Sequence, residues 1–305
     1  MIKRNVLISG GSGFIGRHLT SLLIQKGYSV SILSRSKKQN TAEISYYQWD
    51  VANQIIEEEA VLKADYIIHL AGENIAEKRW SKKRKDEIRN SREQSTQLIY
   101  TVLKKNNKKL EAFVSASAIG IYGAVNGKKI CIEETPHAND FLGVTCHKWE
   151  ESIDFIEYLR IRTVKIRTGL VLGKDDGFLK KLLPIFKWRL GAALGSGKQY
   201  MPWIHVDDLC NMYVHALDNP TMSGPYNAAV NDNTDNLIFS KTLAKVLGYS
   251  LWLPNVPAFL IKLAMGEMSK IVLTGRRVSS EKIESTGFIF KFKKLEDALK
   301  DCLAK

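Results

Sequence analysis

The chain has 305 residues, 45% of them hydrophobic and 25% charged, which suits a globular protein with one large α/β domain or a nucleotide-binding domain with a smaller appendage. Lys and Arg outnumber Asp and Glu by 45 to 32, a formal net charge of +13, but the cations are spread along the chain without a recognition motif, so specific nucleic-acid binding is not expected. No apolar run approaches the roughly 18 residues that span a bilayer, and Cys131, Cys146, Cys210 and Cys302 lack CxxC spacing, so the expectation is a cytoplasmic protein with reduced thiols, no membrane association and no metal site.

In chain order, VLIS (6–9) reads as the first strand, and ISGGSGFIG leads from it into a helix. Ile15, Leu19, Leu22 and Leu23 recur there at helical spacing until Gly27 stops it. Gly10, Gly13 and Gly16 have the spacing G-x-x-G-x-x-G. The first allows a tight turn, the second lets the backbone approach a pyrophosphate at the helix N-terminus, and the third permits close helix–strand packing. With Gly11, Ser12, Phe14 and Ile15 they form the candidate dinucleotide loop.

YSVSILS (28–34) is the second strand. At its end an NAD enzyme usually places Asp or Glu on the ribose hydroxyls, whereas this chain has Ser34 and Arg35, then Lys37 and Lys38. A carboxylate there would repel a 2′-phosphate, and a guanidinium can grip it with two charge-assisted hydrogen bonds, so NADP is the expected cofactor. The alternative is a surface arginine in a basic loop. Asp50 closes ISYYQWD, placed either to accept from an adenine amino group or to form a turn. YIIHLA (66–71) is the fourth strand, and HLAG (69–72), with Leu70, Ala71 and Gly72, ends it with small residues that would let a cofactor lie against the backbone.

KRWSKKRKDEIRNSR (78–92) is the densest basic patch, read as a solvated helix face in preference to a positive rim around a phosphate. A long helix starts at about Ser81 as N-cap, carries Ile88, Leu98, Ile99 and Val102 inward, and ends at KKNNKK. AFVSA (112–116) and VKIRTGLVL (164–172) complete a strand–helix rhythm that predicts a parallel sheet covered on both faces. Beyond residue 173, FLKKLLPIFKWRLG predicts an amphipathic helix broken near Pro184. GAALGSGKQYMPWIHVDDL predicts a glycine-rich loop, a short strand and a helix capped by Asp207. NLIFSKTLAKVLG and PAFLIKLAMGEMSK predict two more helices, the second beginning at Pro257. The expected organisation is a doubly wound Rossmann-type α/β domain over residues 1–225, which contributes substrate-lobe elements from about residue 174, and a smaller C-terminal α/β domain over 226–305.

On GGSGFIG, HLAGENIAEKRW, SASAIGIYG, RTGLVLG, LGSGKQYMPWIHVDDL and the later GEM and LTGRRV, the chain resembles the extended short-chain dehydrogenase/reductase superfamily over almost its whole length. More narrowly it is similar to an atypical epimerase-like subgroup, often described as cell-division inhibitors or nucleoside-diphosphate-sugar epimerases, that ends in a small domain of unknown function. The resemblance implies a Rossmann-type fold, NAD(P) binding and a proton relay of Ser or Thr, Tyr, Lys and Asn. The relay hydroxyl corresponds to Ser117, and the asparagine position falls at Arg92. Matching Glu150 to the glutamate four residues after the lysine puts the lysine position at Cys146 and the tyrosine position at Leu142. The resemblance also implies that Ser34, Arg35, Leu70, Ala71, Glu87, Arg92 and Val171 line the cofactor.

Leu142 has no proton to give, and a thiol with a reference pKa of about 8.5 supplies no positive charge, although Arg92 nearby would draw Cys146 toward thiolate. His147 and Lys148 lie about 100° and 200° around a helix from Cys146, off its face. Tyr122 is a substitute acid or a packed loop aromatic; Cys146 is a catalyst or a small buried hydrophobe; Ser117 is the stronger candidate of the three to face the nicotinamide, with a structural role as its alternative. His205 beside Asp207 and Asp208 reads as a general base, whereas N-capping alone explains at least one of the two carboxylates, which sit where a helix begins. Trp188, Arg189, Lys198, Tyr200 and Trp203 either form a pocket for an anionic or ring-shaped ligand or pack the lobe. Two functions follow. One is an NADP(H)-dependent oxidoreductase or epimerase-like enzyme acting on a small molecule through Ser117, Arg92, Cys146 and Tyr122. The other is a non-catalytic NADP(H)-binding redox sensor acting through a protein partner.

Overall fold

The computed structural model describes residues 3–124, 126–174 and 177–304. The first half alternates as expected: β1 (Asn5–Ser9), α1 (Phe14–Gln25), β2 (Ser29–Ser34), β3 (Ile44–Asp50), β4 (Ile55–Ile56), α2 (Glu58–Leu62), β5 (Tyr66–His69), α3 (Lys82–Lys105) and β6 (Ala112–Ala118). There follow β7 (Gly127–Cys131), α4 (Phe141–Glu157), β8 (Thr163–Thr168), β9 (Leu170–Leu172), α5 (Gly177–Lys187), β10 (Trp203–His205), α6 (Val206–Asp218) and β11 (Gly224–Ala228). The C-terminal part holds α7 (Asn236–Val246), α8 (Ala258–Met265), α9 (Lys270–Leu273), β12 (Arg276–Val278), α10 (Glu281–Glu284) and α11 (Leu295–Leu303).

The main sheet runs β11-β8-β6-β5-β1-β2-β3-β4 and is parallel except for the β3–β4 pair. Chain order reverses between β1 and β5, which pair in register from Val6↔Tyr66 to Ser9↔His69. That reversal opens a crevice at the carboxyl ends of the two strands, the place where doubly wound sheets bind ligands. Val6, Ile8, Ile68, Val114 and Ile166 face one apolar layer with Leu19 and Leu23 of α1. Leu7, Ile67 and Phe113 face the other with Leu98, Ile99 and Val102 of α3. Both faces of the strands are thus buried, which is why they read as continuous apolar runs. No helix among the described residues is long and apolar enough to cross a membrane.

Four expectations about the second half are corrected. The run 164–172 is two strands: at Gly169 the chain leaves the main sheet, and β9 pairs with β10 in a separate ribbon. A side chain on Gly169 would meet the Pro202 carbonyl oxygen at 2.6 Å. α5 continues through Pro184 to Lys187, and Arg189 at φ +59° marks where the chain turns away. The cap of α6 is His205, whose Nδ1 accepts from the Asp207 backbone N–H at 3.2 Å, so Asp207 and Asp208 lie in the first turn. Pro257 is the N-cap of α8 and not its first residue, and Gly266 at φ +60° ends that helix four residues before Lys270.

Candidate dinucleotide site

A cleft of about 1200 Å³ occupies the crevice. Gly10, Ser12 and Gly13 line it after β1, Ser34 and Arg35 after β2, Asp50 after β3, and Leu70, Ala71 and Gly72 after β5; Glu87 lines it from α3. The glycines are there for geometry. Gly10 sits at φ +73°, and a Cβ on it would lie 2.9 Å from the Leu70 carbonyl carbon. A Cβ on Gly16 would collide with the Gly10 carbonyl oxygen, so this glycine is what lets α1 start against the loop. A Cβ on Gly11 would lie 3.0 Å from the Ile32 side chain.

Gly13 is the N-cap of α1, with no side chain capping the helix and no acidic residue in its first turn. Its amides and dipole therefore have no side-chain anion to compete with a pyrophosphate, and the loop fits a dinucleotide. Phe14 and Ile15 sit behind the loop: Phe14 packs on Gly173 and Gly177, and Ile15 joins the core. Val171, in β9, packs on the same core and is outside the cleft lining.

Where the cleft passes the end of β2, the Arg35 side chain is 87% exposed, with Nη1 3.9 Å from Glu73 Oε1. Glu73 Oε2 is 2.9 Å from Nη1 of Arg84, which is only 7% exposed and also pairs with Glu87 at 3.0 Å. The Glu87 carboxylate is thereby turned onto Arg84. Glu73 and Arg84 were not among the expected site residues; the one sequence signal for them is the i, i+3 pairing of Arg84 and Glu87 in the first turn of α3, which Ser81 caps. Lys82 and Lys83, read as a solvated face, line the same cleft. The Asp50 carboxylate accepts from the Asn53 side chain and backbone at 2.7 and 3.1 Å, which holds it below the usual carboxylate range.

The relay positions form a different structure. Ser117 Oγ donates to Glu150 Oε1 at 2.6 Å, and Arg167 grips both Glu150 oxygens at 2.9 and 2.8 Å. Arg167 also donates to the Tyr122 hydroxyl at 3.0 Å, and that hydroxyl donates to Asn227 Oδ1 at 2.7 Å. Asn227 and Arg167 both reach Glu133, through its carboxylate and its carbonyl oxygen respectively. All six residues are buried. Burial pushes the Tyr122 hydroxyl up to about 12 against the pull of Arg167.

Cys146 lies in an apolar cluster with Ile121, Tyr122, Cys131 and Val278. Of its two readings the surroundings suit the small buried hydrophobe: burial raises the thiol to about 12 and outweighs the pull of Arg92 toward thiolate. Arg92, expected beside the cofactor, is outside the cleft lining: it packs against Gly72, stacks on Trp149 at 4.9 Å and donates to the Ile88 carbonyl at 2.8 Å. Burial lowers its pKa, and among the described residues no carboxylate lies within ion-pair distance of it. His147 stacks on His137 at 3.9 Å, away from Cys146 as the helix geometry required.

His205 is buried, its ring tilted against Phe292, with Nε2 3.3 Å from Asp301; Asp208 accepts from the Lys291 and Phe292 backbone. This group belongs to the packing of α6 against the C-terminal segment. The aromatic and basic residues of the later lobe do not converge: Trp188 is 80% exposed, whereas Trp203 is in the core with its indole N–H on Asp232.

Residues 6–229 match the model of the NAD dependent epimerase/dehydratase family, and residues 256–302 match a domain of unknown function, DUF1731. The chain is 36% identical to the epimerase family protein YfhF of Bacillus subtilis, over 98% of each chain. It superposes on the human epimerase family protein SDR39U1, solved with NADPH, with a TM-score of 0.86 and 30% identity over 98% of each chain. A Bacillus cereus UDP-glucuronic acid 4-epimerase solved with NAD has a TM-score of 0.78 at 18% identity, covering 97% of this chain and 96% of that one; at that identity the likeness is one of fold.

Proposed function

The chain belongs to the NAD dependent epimerase/dehydratase family, and from that premise we propose that it binds NADP(H) in the β1–β5 crevice and acts as an oxidoreductase or epimerase-like enzyme without the usual tyrosine and lysine. The observation that carries the cofactor preference is Arg35 at the end of β2, lining the cleft where a carboxylate would otherwise hold a ribose. The α1 amides take the pyrophosphate, and Arg35 takes the 2′-phosphate with its guanidinium fork. The human relative solved with NADPH supports this choice.

When bound, the nicotinamide gives or accepts a hydride. Of the four candidate catalytic residues, Arg92 is the one whose charge is uncommitted. Its guanidinium, packed against Gly72 at the end of β5, is the candidate donor to negative charge developing on a substrate oxygen. Cys146 beside it and Tyr122 beside Arg167 stay protonated, and Ser117 with Glu150 and Arg167 fixes the end of β6 against α4. The test is NADPH oxidation across a panel of carbonyl compounds: turnover that falls by about 100-fold or more in Arg92→Ala supports this assignment, at the scale of losing one stabilising donor. Turnover unchanged in that variant removes Arg92 from it.

A second reading is favoured by the same network. Ser117 and Tyr122 both spend their hydroxyl protons inside it, and Cys146 is neutral. A protein so arranged suits a sensor that binds NADP(H) and reports its oxidation state to a partner. It requires different partner affinities with NADP⁺ and NADPH, because a ligand shifts only equilibria whose states it binds unequally.

A further inference from the structure

We propose that Glu73 sets how strongly the cleft prefers a 2′-phosphorylated dinucleotide, by competing with that phosphate for Arg35; the inference rests on the NADP(H) reading above. One carboxylate spans two guanidiniums. Glu73 Oε1 faces Arg35 at 3.9 Å, and Oε2 is bound to Arg84 at 2.9 Å. The two arginines differ in freedom. Arg35 is exposed, and among the described residues Glu73 is its one ion-pair partner. Arg84 is buried in the first turn of α3, held by Glu87 and by the Asn74 carbonyl at 2.8 Å.

A 2′-phosphate needs the Arg35 fork, so Glu73 has to release it. Glu73 cannot move far, because Arg84 holds its other oxygen and its backbone N–H donates to Ser91 Oγ at 3.0 Å. It therefore stays beside the incoming dianion as a like charge, and Lys82 and Lys83 on the same wall offset only part of that repulsion. A 2′-hydroxyl carries no charge and meets neither effect. Glu73 thus weakens NADPH and leaves NADH alone. The cleft retains its preference for NADPH while holding it less tightly than Arg35 by itself would.

The experiment is titration of NADPH and NADH, by nicotinamide fluorescence, into the full chain and the variants Glu73→Gln, Arg35→Ala and the double variant. Glu73→Gln is expected to tighten NADPH by about fivefold, the scale of one exposed charge contact, and to change NADH by less than about twofold. In the Arg35→Ala background the same substitution is expected to gain clearly less than in the parent chain, since the competition has no object there and only the like-charge repulsion is relieved. Should Glu73→Gln destabilise the fold by freeing Arg84, Glu73→Asp keeps an anion for Arg84 while withdrawing it by one methylene, and a tighter NADPH complex is again expected. If Arg35→Ala abolishes the preference and Glu73→Gln leaves or weakens NADPH binding, the role of Glu73 is overturned and the NADP(H) reading stands. If Arg35→Ala leaves the preference intact, both fall.

Discussion

Ser117 Oγ donates its proton to Glu150 Oε1 at 2.6 Å, so the serine expected to serve a proton relay is bound into the packing of α4 against β6 and β8. Its partner Glu150 is shared with Arg167, which is buried and grips both carboxylate oxygens. Ser117→Ala should cost about 1.5–3 kcal/mol, the loss of one hydrogen bond to a charged acceptor, and Arg167→Met about 3–5 kcal/mol, because it strands a buried carboxylate. Urea unfolding of both variants checks this. Equal, negligible losses would mean that the network does not hold the sheet to α4.

Gly16→Ala should destabilise the protein by about 1–3 kcal/mol and weaken NADPH binding, since the new methyl group collides with the Gly10 carbonyl oxygen and pushes α1 off the loop. Thermal unfolding with and without NADPH measures both effects. A variant with unchanged stability and affinity would show that the loop has slack the geometry denies.

Cys146 should resist alkylation in the folded protein at pH 8, because burial raises its thiol to about 12 and leaves almost no thiolate. Iodoacetamide labelling followed by mass spectrometry, native against urea-unfolded, reads this directly. Rapid native labelling would restore Cys146 as a reactive group.

His69 gives a pH dependence. Burial, with a smaller push from Arg92, lowers its pKa from 6.5 to about 3. The folded state therefore holds it neutral while the unfolded chain takes up a proton below about pH 6.5. The stability it contributes is complete above that pH and declines as the pH falls toward 3, by about 1.4 kcal/mol per unit. Between pH 7 and pH 5, His69→Gln should lose about 2 kcal/mol less than the parent chain in urea titrations. Equal losses in both would rule out His69 as the source.

The fold was legible where local and tertiary demands agree. The strands buried on both faces, the glycine turn, the Ser81 cap and the inward residues of α1 and α3 all announce themselves by period and punctuation. The break at Gly169 was not legible, because the apolar run continues through it and only the Pro202 carbonyl, more than 30 residues on, requires a glycine there. The cap of α6 was misassigned for a related reason: Asp207 suits the position, but the backbone gives it to His205, held by Phe292 and Asp301 from the C-terminus. In the candidate site the residues next to the glycine loop were readable from spacing. The bridge from Arg35 through Glu73 to Arg84 joins three segments, and only the fold brings their charges together.

Titration of NADPH and NADH into the parent chain and Arg35→Ala tests the account at its centre. The parent should bind NADPH saturably and more tightly than NADH, and Arg35→Ala should cost NADPH on the order of 10-fold to 100-fold, the range of a charge-assisted hydrogen-bonded contact, while leaving NADH unchanged. No saturable NADPH signal, or a preference that survives the substitution, would contradict it.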